Sequence, residues 1–320
     1  MNICITGGAG YVGSSLVPDL LKKGHHVTVL DTFWFGDYLG EHTNLTKLRA
    51  DIREKGIFEK AFKNQDVVIH LACISNDPSF DMNPTLGKSI NFDPFMDLLK
   101  ALDSEEVSRF IYASSSSVYG VSELERVIED SPKNPITDYS KYKLECEKLL
   151  EDVGTNACWT ILRPATVCGY SPRQRLDLVV NIMSIQAIVN NNMTVHGGAQ
   201  TRPNINIKDM VRAYEWVINQ PEKMVNKKIY NVGFENKSLM EIARQVQVVI
   251  GGTIEIEPVK DNRSYRVDST LIDKELGFKP KFSITDAIRS LRIAYDHGAI
   301  KDPFTNTSYN NIKRMKELGI

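Results

Sequence analysis

The sequence predicts an α/β protein: a doubly wound parallel sheet joined to a smaller mixed α/β domain. Three observations lead there. Short, wholly apolar runs alternate with amphipathic stretches through the first half, a glycine-rich turn follows the first run at once, and around Pro164–Pro172 the alternation gives way to a loop rich in Gly, Pro and Arg. Strands that are apolar on both faces belong in a parallel sheet covered by helices on both sides. The 320 residues, 42% hydrophobic and 25% charged, have ordinary globular composition and enough length for a large core.

Strands are expected at Asn2–Thr6, His26–Leu30, Val67–Leu71, Arg109–Ala113 and Cys158–Arg163, with helical patterns at Tyr11–Lys23, Ile57–Phe62, Phe92–Asp103 and Asp138–Val153. Further on, residues 177–191, Ile207–Ile218, Ser238–Ile250 and Ser283–Asp296 read as helices, the last opened by Ser283 and Asp286, a weakened capping box. Lys228–Val232 reads as a strand able to rejoin the sheet. The expected division is a Rossmann-type domain over residues 1–167, with 205–235 returning to it, and a substrate domain over 168–204 and 236–320.

The net charge of −1 builds no field for nucleic acid or for an acidic membrane. The five cysteines form no CxxC pair, and the histidines form no i, i+4 pair, so no metal site is expected. With no leader-like segment and no long apolar run, reduced thiols in a cytoplasmic protein are the expectation.

The first strand runs into Gly7-Gly-Ala-Gly10-Tyr11-Val12-Gly13. Gly7 supplies the freedom for an immediate turn, Gly10 leaves room for a pyrophosphate at the helix N-terminus, and Gly13 lets that helix pack closely on the sheet. The second strand leads to Asp31, whose carboxylate can accept from both ribose hydroxyls of NAD and would repel a 2′-phosphate. No Lys or Arg follows in Thr32-Phe33-Trp34, so NAD is expected over NADP. Asp51 and Ile52 read either as adenine contacts or as a plain surface turn. Phe33–Phe35 reads as a cover for the adenosine or as part of a lid.

Tyr139 and Lys143 stand four apart at the start of a helix, one turn apart on one face. A phenol beside an ammonium and a positive nicotinamide ring is favoured as phenolate and can act as a base; alone, the pair would be an ordinary solvated face. Upstream, Arg109–Ala113 runs into four serines, Ser114–Ser117, at the end of a strand where open α/β sheets bind ligands. A serine there can hold a substrate hydroxyl while Tyr139 takes its proton.

Taken together, Gly7-x-x-Gly10-x-x-Gly13, Asp51-Ile52-Arg53, His70-Leu71-Ala72, Ser114–Gly120, Tyr139-x-x-x-Lys143 and Arg163-Pro164-x-x-Val167-x-Gly169 span most of the chain. On these motifs it resembles the extended short-chain dehydrogenase/reductase family, in particular its nucleotide-sugar epimerases and dehydratases. Arg202–Asp209, Tyr265–Asp268 and Leu276–Pro280 resemble later elements of the same family.

The resemblance implies a cofactor site of Gly7, Gly10, Tyr11, Val12, Gly13, Asp31, Asp51, Ile52, Leu71, Ala72, Tyr139 and Lys143, holding NAD. It implies Ser115 as the hydroxyl partner of Tyr139, with Ser116 its nearest competitor. For the nucleotide diphosphate of a sugar substrate it points by position to Asn181, Arg202 and Arg263, each with surface charge or polarity as the plain alternative. Arg173 and Arg175 suit a lid or solvent equally. Relatives commonly pair as homodimers through the helix after Phe92 and the one carrying Tyr139. Dehydratases of the family usually carry Asp-Glu where this chain has Ser116-Ser117, decarboxylases often Glu at the second, and 3,5-epimerases commonly a cysteine.

Without those extra groups, the set Ser115, Tyr139, Lys143 and NAD suits a C4 epimerase working through a transient 4-keto sugar. A net 4-ketoreductase or dehydrogenase would look similar, and a non-catalytic NAD-binding regulator is the alternative of another class. Cys73 and Cys168 depart from the family pattern and read as packing substitutions, with a place near the nicotinamide or sugar as the alternative.

Overall fold

The computed structural model describes residues 1–122, 124–259 and 264–320. Its strands in chain order are β1 (Asn2–Thr6), β2 (His26–Asp31), β3 (Leu45–Arg49), β4 (Val67–His70), β5 (Arg109–Ala113), β6 (Cys158–Pro164), β7 (Thr166–Cys168), β8 (Asn192–His196), β9 (Thr201–Asn206), β10 (Lys228–Val232), β11 (Glu235–Ser238) and β12 (Thr253–Glu257). Seven of them form one sheet in the order β10-β6-β5-β4-β1-β2-β3, every pairing parallel.

The period of two sends successive side chains of β1, β4 and β5 to opposite faces of the sheet, and both faces are buried. Ile3 and Ile5 of β1, Val67 and Ile69 of β4 and Ile111 of β5 enter one core cluster. Cys4, Val68, Phe110 and Tyr112 point the other way into a second. The first cluster is closed by Leu16, Val17 and Leu20 of the helix Gly13–Lys22 and by Met210, Tyr214 and Val217 of the helix Ile207–Ile218. The second is closed by helices Ile57–Phe62, Phe95–Ser104 and Asp138–Val153.

Strand order reverses between β1 and β4, so the crevice at their C-terminal ends is where a ligand fits this topology. The two ends are tied there by Thr6 Oγ1 and His70 Nδ1 at 2.7 Å. Burial, with the Lys143 ammonium adding to it, pushes His70 down to about 3, so the ring stays neutral.

β10 joins the sheet beside β6, after an excursion that builds the smaller part. There β7, β9 and β11 form a mixed sheet and β8 pairs with β12. Helices Val179–Asn190, Leu239–Val249 and Ile284–Asp296 pack around Met183, Val195, Ile242 and Ile288. The last helix, Asn311–Leu318, returns to the large sheet, placing Met315 in the same cluster as Phe58 and Phe80.

An ion pair shut off from water joins β6 to the helix Asp138–Val153. Arg163 and Glu147, with side chains 1% and 0% exposed, meet at 2.6 Å (Nη2–Oε2) and again at 3.0 Å (Nε–Oε1). Glu147 also accepts from Ser114 Oγ, and Arg163 Nη1 donates to Tyr119 Oη at 2.8 Å and to the Glu129 carbonyl at 2.9 Å. Removing one partner strands the other charge in the core. Arg163→Met is therefore expected to cost about 3–5 kcal/mol of stability, read as a lowered denaturation midpoint in urea; a midpoint equal to the parent's would contradict this.

Candidate active site

A cleft of ≈570 Å³ opens at the crevice between β1 and β4 and runs along the ends of β5 and β6. Its floor is the glycine turn. Gly7 has φ +73°, and a Cβ there would lie 2.6 Å from the Ala72 nitrogen. A Cβ on Gly13 would lie 2.4 Å from the Gly8 carbonyl oxygen. Both contacts are with backbone, which cannot give way, so these positions admit only glycine. The result is a strand, a bare turn and a helix N-terminus facing the cleft, which is what a pyrophosphate needs.

At one end, Asp31 closes β2. Its Oδ2 accepts from Ala9 N at 3.0 Å and its Oδ1 from Phe33 N at 2.8 Å, leaving acceptor capacity on both oxygens for ribose hydroxyls. Burial pushes its carboxyl up, against the pull of those N–H donors and of Arg173 and Arg49. Asp51 is held by Arg53 at 2.7 Å. Burial raises this carboxyl, but the Arg53 guanidinium and N–H outweigh that and bring it below the usual range. Ile52 lies beside it in the lining.

At the other end stand Ser115, Tyr139 and Lys143. The helix Asp138–Val153 opens with a capping box between Thr137 and Ser140, which sets Tyr139 at its first turn. Lys143 is anchored by donating from Nζ to the Ala113 carbonyl of β5 at 2.7 Å, and its nitrogen lies 6.0 Å from the centre of the Tyr139 ring. Ser115 Oγ accepts from Ser117 N at 3.1 Å and Ser117 Oγ at 2.8 Å, leaving its own proton to donate. Burial pushes the Tyr139 phenol well above its ordinary value. Cys73 and Asp77 add to this, while the Ser115 hydroxyl and Arg175 pull it back.

Gly7, Gly10, Tyr11, Val12, Gly13, Asp31, Asp51, Ile52, Leu71, Ala72, Ser115, Ser116, Tyr139, Lys143 and Arg202 all line this one cleft. Asn181 does not. It is fully buried, its Oδ1 accepting from Gly169 N at 2.9 Å and its Nδ2 donating to Tyr11 Oη at 3.0 Å and to the Arg175 carbonyl at 2.8 Å. Its amide thus joins the substrate-side loop to the glycine turn, with no face toward a ligand. Arg263 lies outside the described residues. Cys73 lines the cleft, whereas Cys168 is buried against the Ile205 carbonyl and packs.

Asp77 and Arg175 also line the cleft. Asp77 opens a short helix capped by Asn76 and accepts from Thr137 Oγ1 at 2.6 Å, just ahead of Tyr139. Arg175 is buried and forked onto Asp177, with Nη1 donating to Ser75 Oγ at 3.0 Å. The signal for Asp77 was its place after β4, at the same edge of the sheet as the serines.

Residues 3–233 match the family described as the NAD dependent epimerase/dehydratase family. The chain belongs to that family. A UDP-glucose 4-epimerase of Lactobacillus helveticus is 26% identical, over 90% of this chain and 94% of its own length. A dTDP-glucose 4,6-dehydratase of Streptomyces griseus is 27% identical, over 92% of this chain and 94% of its own. The crystal structure of the Thermus thermophilus UDP-glucose 4-epimerase in complex with NAD superposes with a TM-score of 0.81 at 26% identity, covering 91% of this chain and 99% of that one. The protein is thus an NAD-dependent enzyme of this family, on the fold its sequence predicts.

The residues present fit NAD: the glycines leave the floor bare, the helix N-terminus faces it, and Asp31 keeps acceptor capacity on both oxygens at the end of β2. Asp31→Ala is expected to weaken NAD roughly tenfold or more, the scale of a hydrogen bond to a charged group, and to narrow the preference over NADP. Calorimetric titration with each dinucleotide reads both effects, and unchanged affinities would contradict the assignment.

Proposed function

We propose that the protein is a nucleotide-sugar 4-epimerase acting through a transient 4-keto sugar. The observation that carries this reading is that the Ser115 and Tyr139 hydroxyls and Lys143 stand together at the end of the cleft away from Asp31, with serines at 116 and 117. NAD, when bound, accepts a hydride from C4 and gives it back. Ser115 donates to the C4 oxygen and fixes the hydroxyl for attack. Tyr139, as phenolate, takes the hydroxyl proton and returns it to the oxygen of the other epimer. Lys143 holds its ammonium near the phenol and favours the ionised form.

Arg202, half-buried on β9 with Nη1 donating to the Thr201 carbonyl, is the candidate for the diphosphate, where a guanidinium fork suits phosphate oxygens. Support for a C4 reaction also comes from the named relatives.

Asp77 favours a second reading. A carboxylate hydrogen-bonded to Thr137 and close to Tyr139 suits a base that takes the proton from the carbon next to the 4-keto group and passes it to the hydroxyl leaving the adjoining carbon, so that the C–O bond breaks and water is lost. Mass spectrometry of the product separates the two: epimerisation leaves the sugar mass unchanged, elimination lowers it by one water.

Tyr139→Phe is expected to lower kcat by about 10²–10⁴, the range of general acid–base catalysis. Because burial raises the phenol and the base form is the active one, kcat should rise with pH until Tyr139 ionises. Lys143→Met should move that rise to higher pH. A Tyr139→Phe enzyme with parental kcat would overturn the reading.

A further inference from the structure

The loop after β7 brings a guanidinium into the cleft that the chemistry at Tyr139 does not use. Arg173 is 2% exposed, and its backbone nitrogen donates at 3.0 Å to Ser14 Oγ, in the first turn of the helix that follows the glycines. Its guanidinium stacks on Phe35, 4.0 Å from the ring centre, and Nη2 donates to Asn311 Oδ1 at 2.6 Å. Its Nε is buried without a hydrogen-bond partner among the described residues. Burial and the neighbouring Arg175 push it down to about 9, and Asp177, Tyr38 and Asp31 offset this only in part. A buried guanidinium with an unmet N–H and no forked carboxylate calls for an anion.

The surroundings say which anion. Arg173 lines the cleft together with Gly10, Tyr11, Val12 and Gly13. On its other side, Asn311 Nδ2 donates to Ser75 Oγ at 3.1 Å, beyond the end of β4. The Asn311 nitrogen is held by Asp177 Oδ2 at 3.1 Å, and Arg314 Nε donates to the Trp34 carbonyl at 2.7 Å. The helix Asn311–Leu318 therefore bridges the loop after β2 to the loop after β4, with Arg173 between them. The space beneath is the stretch from the ribose end at Asp31 to the redox end at Tyr139, where the pyrophosphate of a dinucleotide meets the helix N-terminus.

We propose that Arg173 is a cofactor-retaining residue: its guanidinium pairs with the pyrophosphate of NAD and, through Asn311, closes the cleft over it, so that NAD stays bound between turnovers. This rests on the reading of the protein as an enzyme that restores its cofactor in each cycle. A reductase that must exchange its cofactor has no use for such a closure. No sugar contact is involved, so the consequence is confined to cofactor binding.

The test uses the full chain purified without added cofactor, as parent, Arg173→Met, Arg173→Lys and Asn311→Ala. NAD released by acid is quantified per chain, and exchange of bound NAD against isotopically labelled NAD is followed by mass spectrometry. Arg173→Met should exchange NAD at least about tenfold faster and copurify with less, Asn311→Ala should also exchange faster, and Arg173→Lys should fall between Met and parent. On cofactor-stripped protein, calorimetry should show Arg173→Met losing affinity for ADP-ribose, which carries the pyrophosphate, and keeping it for adenosine, which does not.

Exchange equal to the parent's, or parallel losses for ADP-ribose and adenosine, would overturn the proposal. Should Arg173→Met not fold, Arg173→Lys decides by the same exchange rate. These readouts need no sugar, so a parent that fails to epimerise would refute the functional reading and leave this one to its own result.

Discussion

A guanidinium and a carboxylate, both closed off from water, hold the helix that carries Tyr139 against the sheet. Arg163 leaves β6 and Glu147 leaves the helix two turns beyond Tyr139, and their fork fixes one element on the other. The same carboxylate receives Ser114, the residue before Ser115. The same guanidinium donates to Tyr119, just past the serine cluster, and Tyr119 donates to Asn231 on β10 at 2.7 Å. Strands β5, β6 and β10, the serines and the helix are thus one hydrogen-bonded unit. The proton transfer proposed among Ser115, Tyr139 and a sugar hydroxyl would tolerate little misplacement, and this unit removes the freedom to misplace it.

The second constraint is the attachment of the smaller part to the cofactor turn. Ser171 Oγ donates to the Tyr11 carbonyl at 2.6 Å, and Tyr11 Oη donates to the Gly169 carbonyl at 2.6 Å. Asn181 completes the junction. The loop after β7 is therefore built directly on the glycine turn.

The β1–β2 and β4–β6 strands could be read from their sequences because each is apolar on both faces, and the glycine turn because its spacing has a steric cause. β3 escaped notice: Leu45–Arg49 is a half-exposed edge strand with Lys47 and Arg49 among its residues, so it carries no apolar run. The helices Asp77–Met82 and Pro84–Asn91 are short and start at Asn caps followed by proline, in a stretch that reads as loop. Within the site, residues acting through local chain geometry were legible. Those acting through distant partners were not: Arg173 meets Asn311 across most of the smaller part, and Asp77 meets Thr137 from another element. Asn181 shows the converse, a position that suggests a phosphate ligand while its amide is fully engaged within the chain.

Central to the proposed chemistry is a hydride that leaves C4 and returns to C4 without leaving the site. The direct measurement supplies a nucleotide sugar deuterated at C4 to the holoenzyme and locates the label in the C4 epimer by mass spectrometry and NMR. The expected result is an epimer that keeps its deuterium at C4, in solvent water and with unlabelled NAD present, and no accumulation of reduced cofactor. Deuterium appearing in free reduced NAD, or a product without label at C4, would contradict it.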